Sequence, residues 1–290
     1  MNWLDFFTAT ILSYEKLIFL CTIGLAIEYF WPNEKNQPSK TILFNFIWVL
    51  NFLLVGNILM IFVGRSVGPI IAALGGPWFD LNLPDTWWAW LVHFGIFIAL
   101  YDFGYYWMHR AQHSWRWFWC HHKLHHNDEH VNATTSFRHH WMENVYRVPF
   151  IVIPMSMLVE IDSSMPVILF DVMLVWAVFT HLNVRLDLGP FTRVIAGPQY
   201  HRIHHSNLPV HQDKNLTAYF PIWDVLFGTA YIPEKDEYPT CGTVDGETVW
   251  SVWEANVGVF KGWWGLLHPA PGPAQGDPAL ESPEGSTPRD

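Results

Sequence analysis

Fourteen of the 16 histidines fall between His109 and His211, and eight of those form three tight clusters. They read His109-x-x-x-His113, His122-x-x-His125-His126 and His201-x-x-His204-His205. On a helix, residues three and four apart share a face. Each cluster therefore presents two or three imidazoles on one stripe, as a shared metal site requires. At this histidine content one H-x-x-H-H is expected by chance only about 0.05 times in such a chain, and it occurs twice. Eight imidazoles exceed the three protein ligands usual for catalytic zinc. They suit two metal ions with four ligands each and open positions for oxygen. Imidazole accepts zinc, copper, iron or nickel, so ligand type alone leaves the metal open.

Other residues group around this set. His181 ends an apolar stretch and is a ninth ligand candidate. His140 stands three residues before Glu143 and is either a ligand or a partner of one. Asp102, seven residues before His109 on the same helical face, could orient a ligand imidazole by a hydrogen bond; a structural bond between helices is equally open. His121 falls off the ligand face and is expected to be supporting or exposed. His130 and His139 lack a ligand spacing and stay unassigned. His93, His211 and His268 read as interfacial or hydrogen-bonded residues, and Asp224 as a structural cap. The Glu and Glu-x-x-His pattern of soluble di-iron bundles is absent, and so are H-E-x-x-H, G-x-G-x-x-G and the P-loop. Cys21, Cys120 and Cys241 share no C-x-x-C spacing, which gives neither a disulfide framework nor a thiolate zinc site. Asn132-Ala-Thr and Asn215-Leu-Thr fit the glycosylation sequon but fall beside the metal candidates and read as coincidences.

The elements that position these residues are apolar and long. The 290 residues are 51% hydrophobic and 17% aromatic but only 14% charged, against about 25% charged in soluble domains. No Asp, Glu, Lys or Arg occurs over the 24 residues Thr41–Gly64, and about 20 apolar residues cross a bilayer core. A second span is expected over Thr86–Met108, and a first over Ile11–Trp31, interrupted by Glu15 and Lys16. Val148–Val159 and Met165–His181 are shorter and read as a helical hairpin that enters and returns. The start, Met-Asn-Trp-Leu-Asp, lacks the basic region and cleavage site of a removable signal peptide. The segments 1–16, 65–85 and 160–164 carry two basic residues, Lys16 and Arg65, and the remainder carry 14. The positive-inside rule then puts the histidine clusters in the cytoplasm. The net charge of −10 speaks against a nucleic-acid partner, which needs a basic face.

Residues 95–230 resemble the fatty acid hydroxylase/sterol desaturase superfamily of integral membrane di-iron enzymes. The likeness rests on the three histidine boxes behind a span and on Asn132-Ala-Thr-Thr-Ser-Phe-Arg138, Arg138-x-His140 with Glu143, and Phe179-Thr-His181. It continues through Leu188-Gly-Pro190, Asp213-Lys-Asn215 and Trp223-Asp-Val-Leu-Phe-Gly-Thr229. The motifs look most like the alkylglycerol monooxygenase and sterol desaturase branches, but Asn215-Leu-Thr stands where relatives have Asn-Tyr-Gly. The resemblance implies two iron ions, O2 as co-substrate, a lipid substrate, and hydroxylation or desaturation of an unactivated C–H bond. Electrons would come from an external donor, a b-type cytochrome, a ferredoxin or similar with its reductase. Carried over by position, the ligands are His109, His113, His122, His125, His126, His201, His204 and His205, with His181. Asp102, Arg138, His140, Glu143, Asp213 and Asn215 are candidates for the shell around them.

The expected fold is all-α: a multi-span helical membrane protein with a cytoplasmic helical cap that carries the di-metal site. Its parts are N-terminal transmembrane helices (1–94), a catalytic domain (95–235), an aromatic-rich C-terminal segment (236–268) and a Pro-rich disordered tail (269–290). Within the third part, Glu247–His268 forms a helix that lies on the membrane interface or packs on the catalytic domain. Two other function classes fit the histidines less well. A metal-binding or transport protein would place ligands midway through its spans, and a zinc-dependent hydrolase would need a carboxylate base, for which Glu143 is the candidate.

Overall fold

The long charge-poor runs become the long helices. The computed structural model describes residues 3–81, 83–160 and 165–269. It is all-helical among them, with no strand beyond isolated bridges. Helix α1 (Trp3–Phe30) and α2 (Ser39–Ala73) pack side by side, and both are long and apolar enough to cross a membrane. Ile11, Phe19, Leu43, Ile47 and Phe62 point outward from them, more apolar exposure than a water-facing surface carries without function. The charge that interrupts the first span is paired: Lys16 Nζ meets Asp171 Oδ1 of the hairpin at 2.7 Å.

Helix α3 (Trp87–Ser114) starts where the Thr86 hydroxyl accepts from Ala89 N, an N-cap that satisfies one free amide. It runs uninterrupted past the expected span to carry His109 and His113. Helix α4 (Arg116–His126) turns back against it and holds the second box.

The expected hairpin begins earlier than the apolar run suggests. Helix α5 (Met142–Arg147), a π turn (Val148–Val152) and α6 (Ile153–Leu158) form one continuous helical stretch. Pro149 and Pro154 remove two amide donors from it, and a π turn accommodates such a break. Gly104 of α3 allows close approach here, since a Cβ would lie 2.8 Å from the Phe150 carbonyl oxygen. Helix α7 (Met165–Thr180) returns to place His181 just past its end; the connection at 161–164 lies outside the described residues.

Helix α8 (Pro198–His204) carries the third box, and the short α9 (Ile222–Phe227) ends at Gly228, whose φ of 76° suits glycine. Helix α10 (Val252–Leu267) packs on the catalytic domain, one of the two arrangements the sequence left open. One face packs on α4, where Trp263 stacks on Trp117 with ring centroids 4.5 Å apart. The other exposes Trp253, Phe260, Trp264 and Leu267. The Pro-rich tail expected to be disordered lies outside the described residues beyond Pro269.

Candidate metal centre

The boxes meet where α3, α4, α8 and the end of α7 converge. Nine imidazoles fall into two groups, His109, His113, His122, His126 and His204 in one, His125, His181, His201 and His205 in the other. Within each group the potential ligand atoms lie within 4.8 Å of one another. The eight box histidines divide five and three rather than four and four, and His181 brings the second group to four. Each H-x-x-H-H box is split. His122 and His126, four apart, go to the first group and His125 to the second; His201 and His205 go to the second and His204 to the first.

The hydrogen bonds behind the rings fix which nitrogen faces inward. His109 Nδ1 donates to the Leu216 carbonyl (2.6 Å) and His204 Nδ1 to the Lys214 carbonyl (2.9 Å). His181 Nδ1 donates to Ala177 O at 2.7 Å, His122 Nδ1 to Glu143 Oε1 at 3.1 Å and His113 Nδ1 to Asp213 Oδ1 at 3.2 Å. A carbonyl can only accept, so the proton of these neutral rings sits on Nδ1 and Nε2 is a bare acceptor.

The inward nitrogens then crowd together, and the His109–His122 pair, with both Nδ1 protons donated outward, has no proton between its Nε2 atoms. His109 Nε2 lies 3.0 Å from His122 Nε2, and His126 Nε2 lies 3.2 Å from the same atom. His181 Nε2 is 3.0 Å from His201 Nε2 and 3.3 Å from His125 Nε2. Two imidazoles on one ion at about 2.1 Å place their nitrogens roughly 3.0–3.4 Å apart. Buried His113 Nε2 and His204 Nε2 have no hydrogen-bond partner at all. Two acceptors facing each other, as in His109 and His122, are repulsive unless a cation lies between them, so the donor set fits metal ions. Protonation would not relieve it, since burial holds His122 down to about 3 despite Glu143. Burial and then neighbouring imidazoles hold His109 well below its ordinary value.

The supporting shell differs from sequence expectation at several positions. Glu143 accepts from both His122 and His139 through Oε1. Burial pushes its carboxyl up, but His139 and its bonds with the two imidazoles outweigh this and keep it well below the carboxylate range. Asp213 reaches His113 from an exposed position. Asp102 touches no imidazole; it accepts from the backbone amides of Ala218, Tyr219 and Phe220 at 2.8–3.0 Å. Asn215, at φ 58°, bonds Tyr200 O, Tyr231 O and Tyr231 N. It thereby stiffens the loop whose Lys214 and Leu216 carbonyls hold two ligand rings. Asp224 supports the same loop by accepting from Leu216 N and Thr217 N.

Arg138 likewise reaches no histidine. It bonds Leu124 O and Asn127 Oδ1 at the end of α4, together with Asn45 Oδ1 and Val249 O. His140 lies outside both groups, between Trp48 and Trp141, because its Nδ1 accepts from Met142 N at the start of α5. His121 is buried rather than exposed and stacks on Tyr146.

His139, left unassigned by sequence, belongs to the site. It stacks on His125 at 4.0 Å and forms a further cluster with His122 and Glu143. The signal available was its four-residue spacing to Glu143. His211 bonds Ser206 and Glu237, and both sequon asparagines are buried.

The two groups face different surroundings. His113, His126 and His204 line an open cleft of about 540 Å³ with Arg116, Lys123 and Asp213. His125, His139, His181 and His201 line a mainly apolar cavity of about 330 Å³ that extends to Leu17 of α1 and Phe52 of α2.

Comparison with known proteins gives the same region. Residues 94–229 match the fatty acid hydroxylase family. An alkylglycerol monooxygenase of Xenopus tropicalis is 33% identical over 161 residues, 56% of this chain and 33% of its own length. Ornithine lipid hydroxylase OlsE of Rhizobium tropici is 28% identical over 233 residues, covering 77% of this chain and 69% of its own. A Delta(7)-sterol 5(6)-desaturase of Aspergillus fumigatus is 24% identical over 260 residues, covering 78% and 73%. The chain spans about a third of the length of the alkylglycerol monooxygenases it matches. No solved structure matches it.

Proposed function

From the match of residues 94–229 to the fatty acid hydroxylase family, we propose that the chain is a membrane-bound di-iron oxygenase. It hydroxylates or desaturates a C–H bond of a lipid with O2 and external electrons. The observation that carries this reading is the pair of imidazole groups, one opening on a mainly apolar enclosed cavity and the other on a more open cleft edged by Arg116, Lys123 and Asp213.

Bound iron would supply the oxidising power for an unactivated C–H bond, held by His109, His113, His122, His126 and His204 and by His125, His181, His201 and His205. The protein's own contribution is orientation. Leu216 O, Lys214 O, Ala177 O, Glu143 and Asp213 fix the ligand rings, and such outer bonds raise ligand basicity and set the tautomer. Leu17, Phe52, Leu53 and Met173 line the cavity and exclude water from the chain being oxidised. The spans α1–α3 and the hairpin α5–α7 keep the centre at the cytoplasmic membrane face, so a lipid tail reaches it from the bilayer. A b-type cytochrome or ferredoxin approaches the polar cleft beside His113 and Lys123.

The test compares lipids of a host expressing wild type or His125→Ala. A lipid class that gains one oxygen, or loses two hydrogens, only with wild type is the expected result. Wild-type protein that carries zinc alone and cleaves an ester without O2 would replace the oxygenase by a hydrolase.

A further inference from the structure

Arg147, half-buried at the end of α5, differs from the two buried arginines. Arg138 is saturated by four acceptors, and Arg202 by Pro239 O and Glu34. Arg147 makes no hydrogen bond or ion pair among the described residues, and its Nε is buried without a partner. The side chain lines the cavity that touches His125, His139, His181 and His201. Tyr101 lines the same cavity, and its hydroxyl is also buried without a partner.

A buried N–H of a cation left without an acceptor is costly, as is a buried hydroxyl left without a partner. Two such groups in one cavity, in a protein that partners its buried arginines Arg138 and Arg202, point to a ligand that satisfies them. A guanidinium fork matches the paired oxygens of a carboxylate or phosphate. A phenol adds a third donor.

Position adds the second half of the argument. Arg147 lies four residues after Glu143, so both side chains leave the same face of α5 one turn apart. Glu143 bonds the ligand candidate His122. The anionic group is therefore held about one helical turn from the metal shell, while the apolar lining continues away toward Leu17 and Phe52. At about 330 Å³ the cavity is near the lower end of the roughly 300–1,000 Å³ of ligand pockets, which suits one chain and a small head.

We propose that Arg147 and Tyr101 form the recognition site for an anionic oxygen group, a carboxylate or a phosphate, on the lipid that is oxidised. The carbon attacked is then close to that head rather than far along the chain. This inference rests on the lipid-oxidising reading above.

The experiment uses the full chain in phosphatidylcholine nanodiscs, with iron measured in every sample. Binding of radiolabelled oleate, 1-oleoyl lysophosphatidate and oleyl alcohol is compared for wild type, Arg147→Gln and Arg147→Lys. Wild type is expected to bind one of the anions roughly tenfold or more tighter than the alcohol, the scale of one charge-assisted hydrogen bond. Preference for oleate or for lysophosphatidate assigns the carboxylate or the phosphate. Arg147→Gln should lose that preference with alcohol binding unchanged, and Arg147→Lys should keep part of it. Equal binding of all three by wild type, or preference retained in Arg147→Gln, overturns the assignment. Should Arg147→Gln lose iron or fail to fold, Tyr101→Phe decides: a reduced preference supports the site and an unchanged one overturns it. Wild type without iron or oxidised lipid would instead sink the oxygenase reading. Oxidation confined to uncharged lipids would sink the anion site alone.

Discussion

His126 and His205 stack with ring centroids 4.7 Å apart, yet they belong to different imidazole groups. The wall between the two groups is thus made of the imidazole rings themselves. Deleting one ring removes a ligand from its own group and the packing surface of the other. His205→Ala is therefore expected to drop iron from about two per chain toward zero rather than to about one, measured by elemental analysis with the fold checked by circular dichroism. Retention of one full equivalent would mean that the groups load independently.

Glu143 joins the shell to the metal through a single oxygen. Its Oε1 accepts from His122 and His139, while Oε2 has no partner. Glu143→Gln keeps the shape but removes the charge, and the amide can accept through only one atom. Iron affinity should fall about 10- to 100-fold, read by competition with a chelator. Thermal stability of the metal-free protein should change little, and an unchanged affinity would show that His122 is oriented by packing alone.

Asp102 acts on the centre from a distance. Its three backbone acceptor bonds hold residues 218–220, directly after the loop whose carbonyls grip His109 and His204. Asp102→Ala leaves the buried Tyr219 amide and the part-buried amides of Ala218 and Phe220 unpaired, at up to about 1–3 kcal/mol each. We expect a stability loss of several kcal/mol in detergent unfolding, accompanied by easier removal of metal from the first group. Full stability with normal metal content would show that water replaces the carboxylate.

The clustering of the box histidines was legible because imidazole is rare and helical spacing is regular: His109 to His113 and His122 to His126 declare a shared face. The crossing of each box between two groups was not, because it depends on how α4 and α8 oppose one another. His139 was missed because a turn, not a helix, lays it on His125. The clamps at Lys214 and Leu216 are backbone carbonyls, which no side-chain pattern announces. Asp102 was readable as important by its depth in an apolar helix, but its partner lies 116 residues away at Ala218. The apolar spans were evident from Thr41–Gly64, whereas the helical stretch from Met142 to Leu158 was obscured by its two prolines.

Met173 tests whether the apolar cavity is the substrate path. It lines that cavity from α7, is only half-buried and touches none of the hydrogen bonds that orient the ligands. Met173→Trp puts an indole where a flexible thioether stood, taking space from a cavity of about 330 Å³. Overpacking of a tight core costs roughly 1–3 kcal/mol, but here the added bulk can enter the void, so folding and iron content should hold. A chain displaced by even an ångström can react about 100-fold more slowly. Product formation in the expressing host should fall by at least that order, or shift to a neighbouring carbon, at unchanged iron per protein. Wild-type product at wild-type rate would place the substrate elsewhere, with the polar cleft beside His113 as the remaining route to the metals.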